Sequence, residues 1–310
     1  MDDKSKLLAI RKVDNLIASI AYSRLILNDT ILEQMYCVLT SQDYGEDNFF
    51  QFFSKVVSFR TSHRFRSLKL LHDRTEFRGP STIVNAWYKA DLNTITLPAA
   101  IFTAPIFDAT FPMAVNYGFV GALIGHELIH GFDNQVCVTR AHVSVMFTVR
   151  FQGVQFFENG LLHSWMSEQS QANFDRLAEC MVEQYSQVCY AQVNRCVSGN
   201  RTLAENIADN GGMNVAYRAY QTYIYGRGAD EAPLPGFENY TLEQVFFMAY
   251  GKLWCMSSTS RNLLDTLQFD THSPNVARVN EVLKNSPAFQ KAFGCSTENK
   301  MHTDRICEIW

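Results

Sequence analysis

The stretch His126-Glu127-Leu128-Ile129-His130 limits what this chain can fold into more than any other. It is an H-E-x-x-H pattern within an apolar, glycine-tempered run over residues 118–130 that predicts a helix. An i, i+4 spacing puts both imidazoles on one helical face, one turn apart, where they can reach a single ion. Glu127 is about 100° round the helix from His126, beside such an ion rather than on it. Two neutral nitrogen donors and a tetrahedral preference favour Zn2+ over magnesium or calcium, one per chain. The plainer alternative is a pair of helix histidines with ordinary hydrogen bonds.

A catalytic zinc site also needs a third ligand and an open position for water. The run Leu203-Ala204-Glu205-Asn206-Ile207-Ala208-Asp209-Asn210-Gly211-Gly212 can supply the ligand. Glu205 and Asp209 are four apart on one helical face. Glu205 is the expected ligand, and Asp209 the acceptor for the free ring N–H of a ligating histidine, which fixes its tautomer and raises its basicity. Either acid alone reads as a solvated helix carboxylate. The pair, ahead of N-G-G and combined with H-E-x-x-H, reads as a metal site.

The rest of the chain predicts one mainly helical domain with a little β-structure. Apolar positions Leu7, Ile10, Val13, Leu16 and Ile17 recur near helical spacing, so residues 5–60 read as mostly helix. Residues 83–88 and 94–97 read as two short strands about Asp91-Leu92-Asn93. Helices are expected over 165–190, over 203–220 with an interruption at Asn210-Gly211-Gly212, and over 242–256. The tail from His272 reads as loop, helix and a cysteine-bearing end. The basic run 60–78 also carries Leu68, Leu70 and Leu71, and reads as the solvated face of a helix.

A net charge of −4 gives no general reason to expect nucleic acid or an anionic membrane as partner. No stretch approaches the roughly 20 apolar residues of a membrane span. Three glycosylation sequons, at Asn28, Asn200 and Asn239, accompany 8 cysteines, which together point to an oxidising compartment. The N-terminus lacks the apolar core of a signal peptide, so the expectation is that a preceding piece is missing.

Taken together, these blocks resemble the neprilysin and endothelin-converting-enzyme family of zinc metallopeptidases. Asn85-Ala86-Trp87-Tyr88, His126 to His130 with Gly131-Phe132-Asp133, Glu205 to Gly212, and the ending Cys307-Glu308-Ile309-Trp310 follow the family's N-A-[FY]-Y, H-E-x-x-H-G-F-D, E-N-I-A-D-N-G-G and C-x-x-W blocks in order. The resemblance implies a thermolysin-like catalytic domain, the C-terminal portion of a longer enzyme. It implies that His126, His130 and Glu205 bind zinc, that Glu127 is the general base and that Asp209 orients His126. His272 would stabilise the oxyanion and Arg278 would hold a substrate carbonyl. Asn85 and Ala86 would bind the substrate backbone. Ile101, Ile106, Leu123, Leu253 and Trp254 would wall the pocket for the residue after the cut; without the resemblance they would simply be core. The implied activity is cleavage of short extracellular peptides on the amino side of apolar residues, at the cell surface or in a secreted form. The alternative is a catalytically silent fragment that only binds peptides.

Two departures stand out. The family's N-terminal helical half, which covers the site and can carry a membrane anchor, has no counterpart here. By resemblance Cys180 pairs with Cys307, while Cys255 and Cys295 match cysteines whose partners lie in that half. Cys189 and Cys196 are close enough for a local bridge, and Cys37 has no counterpart. Second, residues 136–152 (VCVTRAHVSVMFTVRFQ) interrupt a run that joins Gln135 to Gly153 in the family. This in-frame block, with Cys137 inside it, reads as an insertion or a retained intron. Val136 is compatible with a splice donor, because every valine codon begins GT, and Gln152 with an acceptor if its codon is CAG.

Overall fold

The structure is a computed structural model that describes residues 1–40, 48–70, 73–134, 153–227 and 231–309. The block 136–152, with Cys137, and Trp310 lie outside them. Asp2 starts α1 (Asp3–Asp14) by accepting from the Ser5 amide, and Arg11 and Lys12 occupy the last turn, where the helix dipole favours cations. The chain then enters a strand rather than continuing as helix. Strands β1 (Ile17–Ala21), β2 (Trp87–Lys89) and β3 (Thr94–Pro98) form one sheet in the order β1-β3-β2. β1 runs parallel to β3 with Ile17 opposite Thr94, and β2 runs antiparallel to it with Trp87 opposite Thr96. The helical spacing of Leu16 and Ile17 is overridden by this partner far along the chain.

Between β1 and β2 come α2 (Asp29–Thr40) and α3 (Phe49–Ser67), which leave Arg60, Arg64 and Arg66 in solvent as the charge pattern predicts. After the sheet, α4 (Met113–Asn116), one π-helical turn (Tyr117–Gly121) and α5 (Ala122–Ile129) follow one another and end at His130. Next come α6 (Glu168–Ser186) and a small hairpin of β4 (Cys189–Tyr190) and β5 (Arg195–Cys196). Then follow α7 (Gly199–Arg227), α8 (Leu242–Leu253), α9 (Ser260–Phe269), α10 (Asn275–Lys284) and α11 (Pro287–Phe293).

Helix α7 runs unbroken through Asn210-Gly211-Gly212, contrary to the expected interruption. The glycines serve packing. A Cβ on Gly125 of α5 would sit 2.3 Å from the Gly212 carbonyl oxygen, and one on Gly212 would sit 2.4 Å from the His126 amide nitrogen. The two helices therefore touch backbone to backbone, which outweighs the poor helix propensity of glycine, about 1 kcal/mol each. Asn210 keeps its place by donating to Tyr185 Oη and to the Asn206 carbonyl.

Apolar clusters hold this frame. Phe174, Met181, Tyr185 and Ile207 knit α6 to α7, and Met213, Tyr220, Phe246 and Phe247 knit α7 to α8. Ile95, Leu97 and Ile101 seat the sheet on Val120. Disulfides join Cys180 to Cys307 and Cys189 to Cys196, while Cys37, Cys255 and Cys295 are free thiols.

Candidate metal centre

The contact of α5 with α7 decides which side chains meet. His126 and His130, at the end of α5, and Glu205, on α7, are all buried, and one donor atom from each lies within 4.8 Å of the others. His126 Nε2 is 3.0 Å from His130 Nε2, and Glu205 Oε2 is 3.2 Å from the first and 3.4 Å from the second. His272, in the loop before α10, brings its own Nε2 to 3.2 Å from the same oxygen.

Each of these imidazoles is backed by a carboxylate. Asp209 Oδ1 is 2.8 Å from His126 Nδ1, Asp133 Oδ2 is 2.5 Å from His130 Nδ1, and Asp270 Oδ1 is 2.9 Å from His272 Nδ1. At His126 and His130 the carboxylate on Nδ1 holds the proton there and leaves the Nε2 lone pair aimed at the common point. Asp209 is itself held by Arg278, whose Nε and Nη2 each donate at 2.7 Å. The guanidinium also lies 3.6 Å from the centre of the Trp254 ring.

The residues fit a divalent cation on one direct observation. Glu205 Oε2 is buried and has no hydrogen-bond donor, although three imidazole nitrogens lie within 3.4 Å. A buried carboxylate oxygen with no donor costs a few kcal/mol, and a cation at the shared point removes that cost. Two imidazoles and one carboxylate are a zinc donor set.

The charges support the same site. Burial works to raise Glu205, but the imidazoles around it outweigh burial and hold it far below the usual carboxylate range. Burial likewise works to raise Asp209, and the Arg278 charge and hydrogen bonds bring it instead to about 2. Burial works to lower His126 and His130, and the carboxylates behind and between them push both upward. Such basic imidazoles are strong donors to a metal.

The centre forms the floor of a cleft of about 640 Å3. Its walls bring together Asn85, Ala86, Ile101, Ile106, Leu123, Leu253, Trp254, His272 and Arg278 with Glu127 and the three candidate ligands. Of the residues singled out in the sequence, only Asp209 stays off this wall, behind His126. Strand β2 is an edge of its sheet, and Asn85 and Ala86 lead into it along the cleft.

Sequence reasoning missed Phe119, Pro105 and Lys252 on the same wall. It also gave Asp133 no role, although an acid three residues after His130 is a readable signal. Lys12, buried beside that acid, carried no signal at all.

Comparison with known proteins places the arrangement. The pattern of peptidase family M13 matches residues 85–139 and 138–309. Neprilysin-1 of Caenorhabditis elegans is 38% identical over 310 residues, covering 100% of this chain and 39% of that protein. The chain thus spans well under half the length of this relative. A solved Haemonchus galactose-containing glycoprotein complex superposes with a TM-score of 0.82 at 34% identity, over 99% of this chain and 47% of that one. The Mycobacterium tuberculosis zinc metalloprotease Zmp1, solved with an inhibitor, gives 0.80 at 26% identity, over 100% of this chain and 43% of that one. The mainly helical fold with its small sheets is that of these zinc peptidases. With its motifs, its donor set and its fold in agreement, the chain belongs to peptidase family M13, the neprilysin family.

Proposed function

We propose that this chain forms the catalytic portion of a zinc-dependent endopeptidase that cleaves short extracellular peptides on the amino side of apolar residues. The observation that carries it is the donor-less Glu205 Oε2 facing His126 and His130 on the floor of a cleft edged by a strand. Zinc bound there supplies a Lewis acid for the scissile carbonyl and makes water acidic enough to attack near neutral pH. Glu127, buried in the cleft next to His126, takes the proton of the attacking water and passes it to the leaving amine. His272, fixed by Asp270, donates to the oxyanion. Arg278 spends Nε and Nη2 on Asp209, which leaves Nη1 for a substrate carbonyl. Asn85 and Ala86 take the peptide backbone as an added strand. Ile101, Ile106, Leu123, Leu253 and Trp254 receive the apolar side chain after the cut.

Support for an extracellular setting comes from two disulfides and from the exposure of Asn28, Asn200 and Asn239 at the three sequons. No helix among the described residues is long and apolar enough to cross a membrane. The proposal includes the reading of 136–152 as an insertion or retained intron. The two family matches, ending at 139 and restarting at 138, meet inside it. The second reading, a chain that binds peptides without cutting them, rests on the block 136–152, which interrupts the catalytic portion between Gln135 and Gly153. Zinc content and peptide hydrolysis by the purified chain, with and without a chelator, decide between them. Zinc with chelator-sensitive cleavage supports the peptidase; zinc and peptide binding without cleavage supports the silent fragment.

A further inference from the structure

We propose that Lys12 of helix α1 is a positioning residue for the metal centre, clamping the turn between His130 and Asp133 from behind. The inference rests on the reading of His126, His130 and Glu205 as a zinc site. Lys12 is 1% exposed, and lysine is almost never so buried without a charged or hydrogen-bonded purpose. Its Nζ donates to the Gly131 carbonyl at 2.5 Å. Gly131 is the middle of a 3-10 turn (His130–Phe132) that begins at one candidate ligand and stops just before the acid that backs it. Carbonyls at the end of a helix have no partner within it, and here a side chain 119 residues earlier in the chain supplies one.

The surroundings show why this amine is kept. Nζ lies 5.2 Å from the centre of the Phe132 ring and 6.0 Å from that of Tyr88, so two aromatic faces receive its positive end. Desolvation brings the amine down to about 7, even though the charge of the fully buried Asp133 acts to raise it. The main chain of Lys12 is tied as well. Its carbonyl accepts from Asn93 Nδ2 at 2.9 Å, and Asn93 Oδ1 accepts from Tyr88 Oη at 2.9 Å. Asn93 sits at φ 48 in the turn between β2 and β3. One helix end, one strand and one turn thus converge on the segment that presents His130. Lys12 does not line the cleft, so it acts on substrate only through that segment. A mere space-filler at this position would be apolar.

The test compares zinc affinity, by competition with a chromophoric chelator, in the full chain and in Lys12→Met, with thermal unfolding of the zinc-free forms alongside. The expected result is zinc binding weakened about 10- to 100-fold in a variant that still folds without zinc. On an Asp133→Asn background the same change should cost much less, because both residues act through His130. If Lys12→Met does not fold, Lys12→Gln takes its place. Its amide ends one bond short of Gly131, and the same loss is expected. Parental zinc affinity in a folded variant overturns the proposal and leaves Lys12 a structural residue. An undiminished loss on the Asp133→Asn background overturns it too. A parent chain that binds no zinc overturns the metal reading itself, so the two failures are distinguishable.

Discussion

Arg278 grips Asp209 with two parallel hydrogen bonds of 2.7 Å, and both side chains are buried. Because Asp209 also holds His126 Nδ1 at 2.8 Å, the guanidinium is connected to the metal centre as well as to the cleft. Arg278→Ala should therefore do more than raise KM. It leaves a buried carboxylate without its cation, which costs about 3–5 kcal/mol, and should weaken zinc binding as well. Thermal unfolding and zinc competition on the variant check both effects. A higher KM with unchanged stability and zinc affinity would show that Arg278 only holds substrate.

Glu127 and Glu205 should separate cleanly. Glu127→Gln is expected to abolish hydrolysis with zinc retained, since Glu127 stands beside the ligand set. Glu205→Gln removes the anionic donor and should release the metal. Metal content of both purified variants is the readout, and equal zinc loss in the two would sink the assignment.

For His272 the expected signature is kinetic. His272→Ala should lower kcat by about 100-fold with little change in KM, as for a group that acts on the transition state. Asp270→Asn should move kcat the same way by less, because it loosens the ring without removing it. A KM effect alone would return His272 to substrate binding.

Gly212→Ala probes the frame. Its Cβ would meet backbone atoms of Gly125 and His126 at 2.4–2.7 Å, and no side-chain rotation relieves that. A loss of about 3 kcal/mol is expected, with weakened zinc binding as α5 and α7 are forced apart. Gly226→Ala in the same helix, where nothing lies within 4 Å, is the control and should leave stability unchanged or slightly higher. Chemical denaturation of the two variants gives the comparison.

Deleting residues 136–152 should give the better-folded form, seen as a higher yield of soluble protein and a higher Tm. A β-prone stretch with no charge apart from Arg140 and Arg150, following the candidate metal helix in sequence, is an aggregation liability. Sequencing transcripts tests the origin of the block: mature messages that uniformly retain it would make it a true loop of this lineage.

The candidate metal site was legible because its logic is local. Two imidazoles one turn apart and two acids one turn apart declare themselves within short windows, and so did the helix that carries the first pair. What escaped depends on residues distant in sequence. Ile17 continues a helical spacing, yet pairs with Thr94 in a sheet. The N-G-G run looks like a helix end until Gly125 is brought against it, after which it is the only kind of surface that fits. Lys12 reads as one more basic residue in a helix's last turn, because the Gly131 carbonyl it serves lies far along the chain. The grip of Arg278 on Asp209 was hidden for the same reason.

The candidate ligands sit on two helices that are remote in sequence, His126 and His130 on one and Glu205 on the other. An ion shared among them closes the intervening chain into a ring, as a covalent staple would. That ring contains the block 136–152, and Cys180 within it is stapled in turn to Cys307. Stripping such an ion would thus remove a Lewis acid and a cross-link at once. In the unfolded chain the ring's lost freedom counts against unfolding, in proportion to the logarithm of its length. Chelation should accordingly make the whole span between the two helices easier to open, and proteases would find it first.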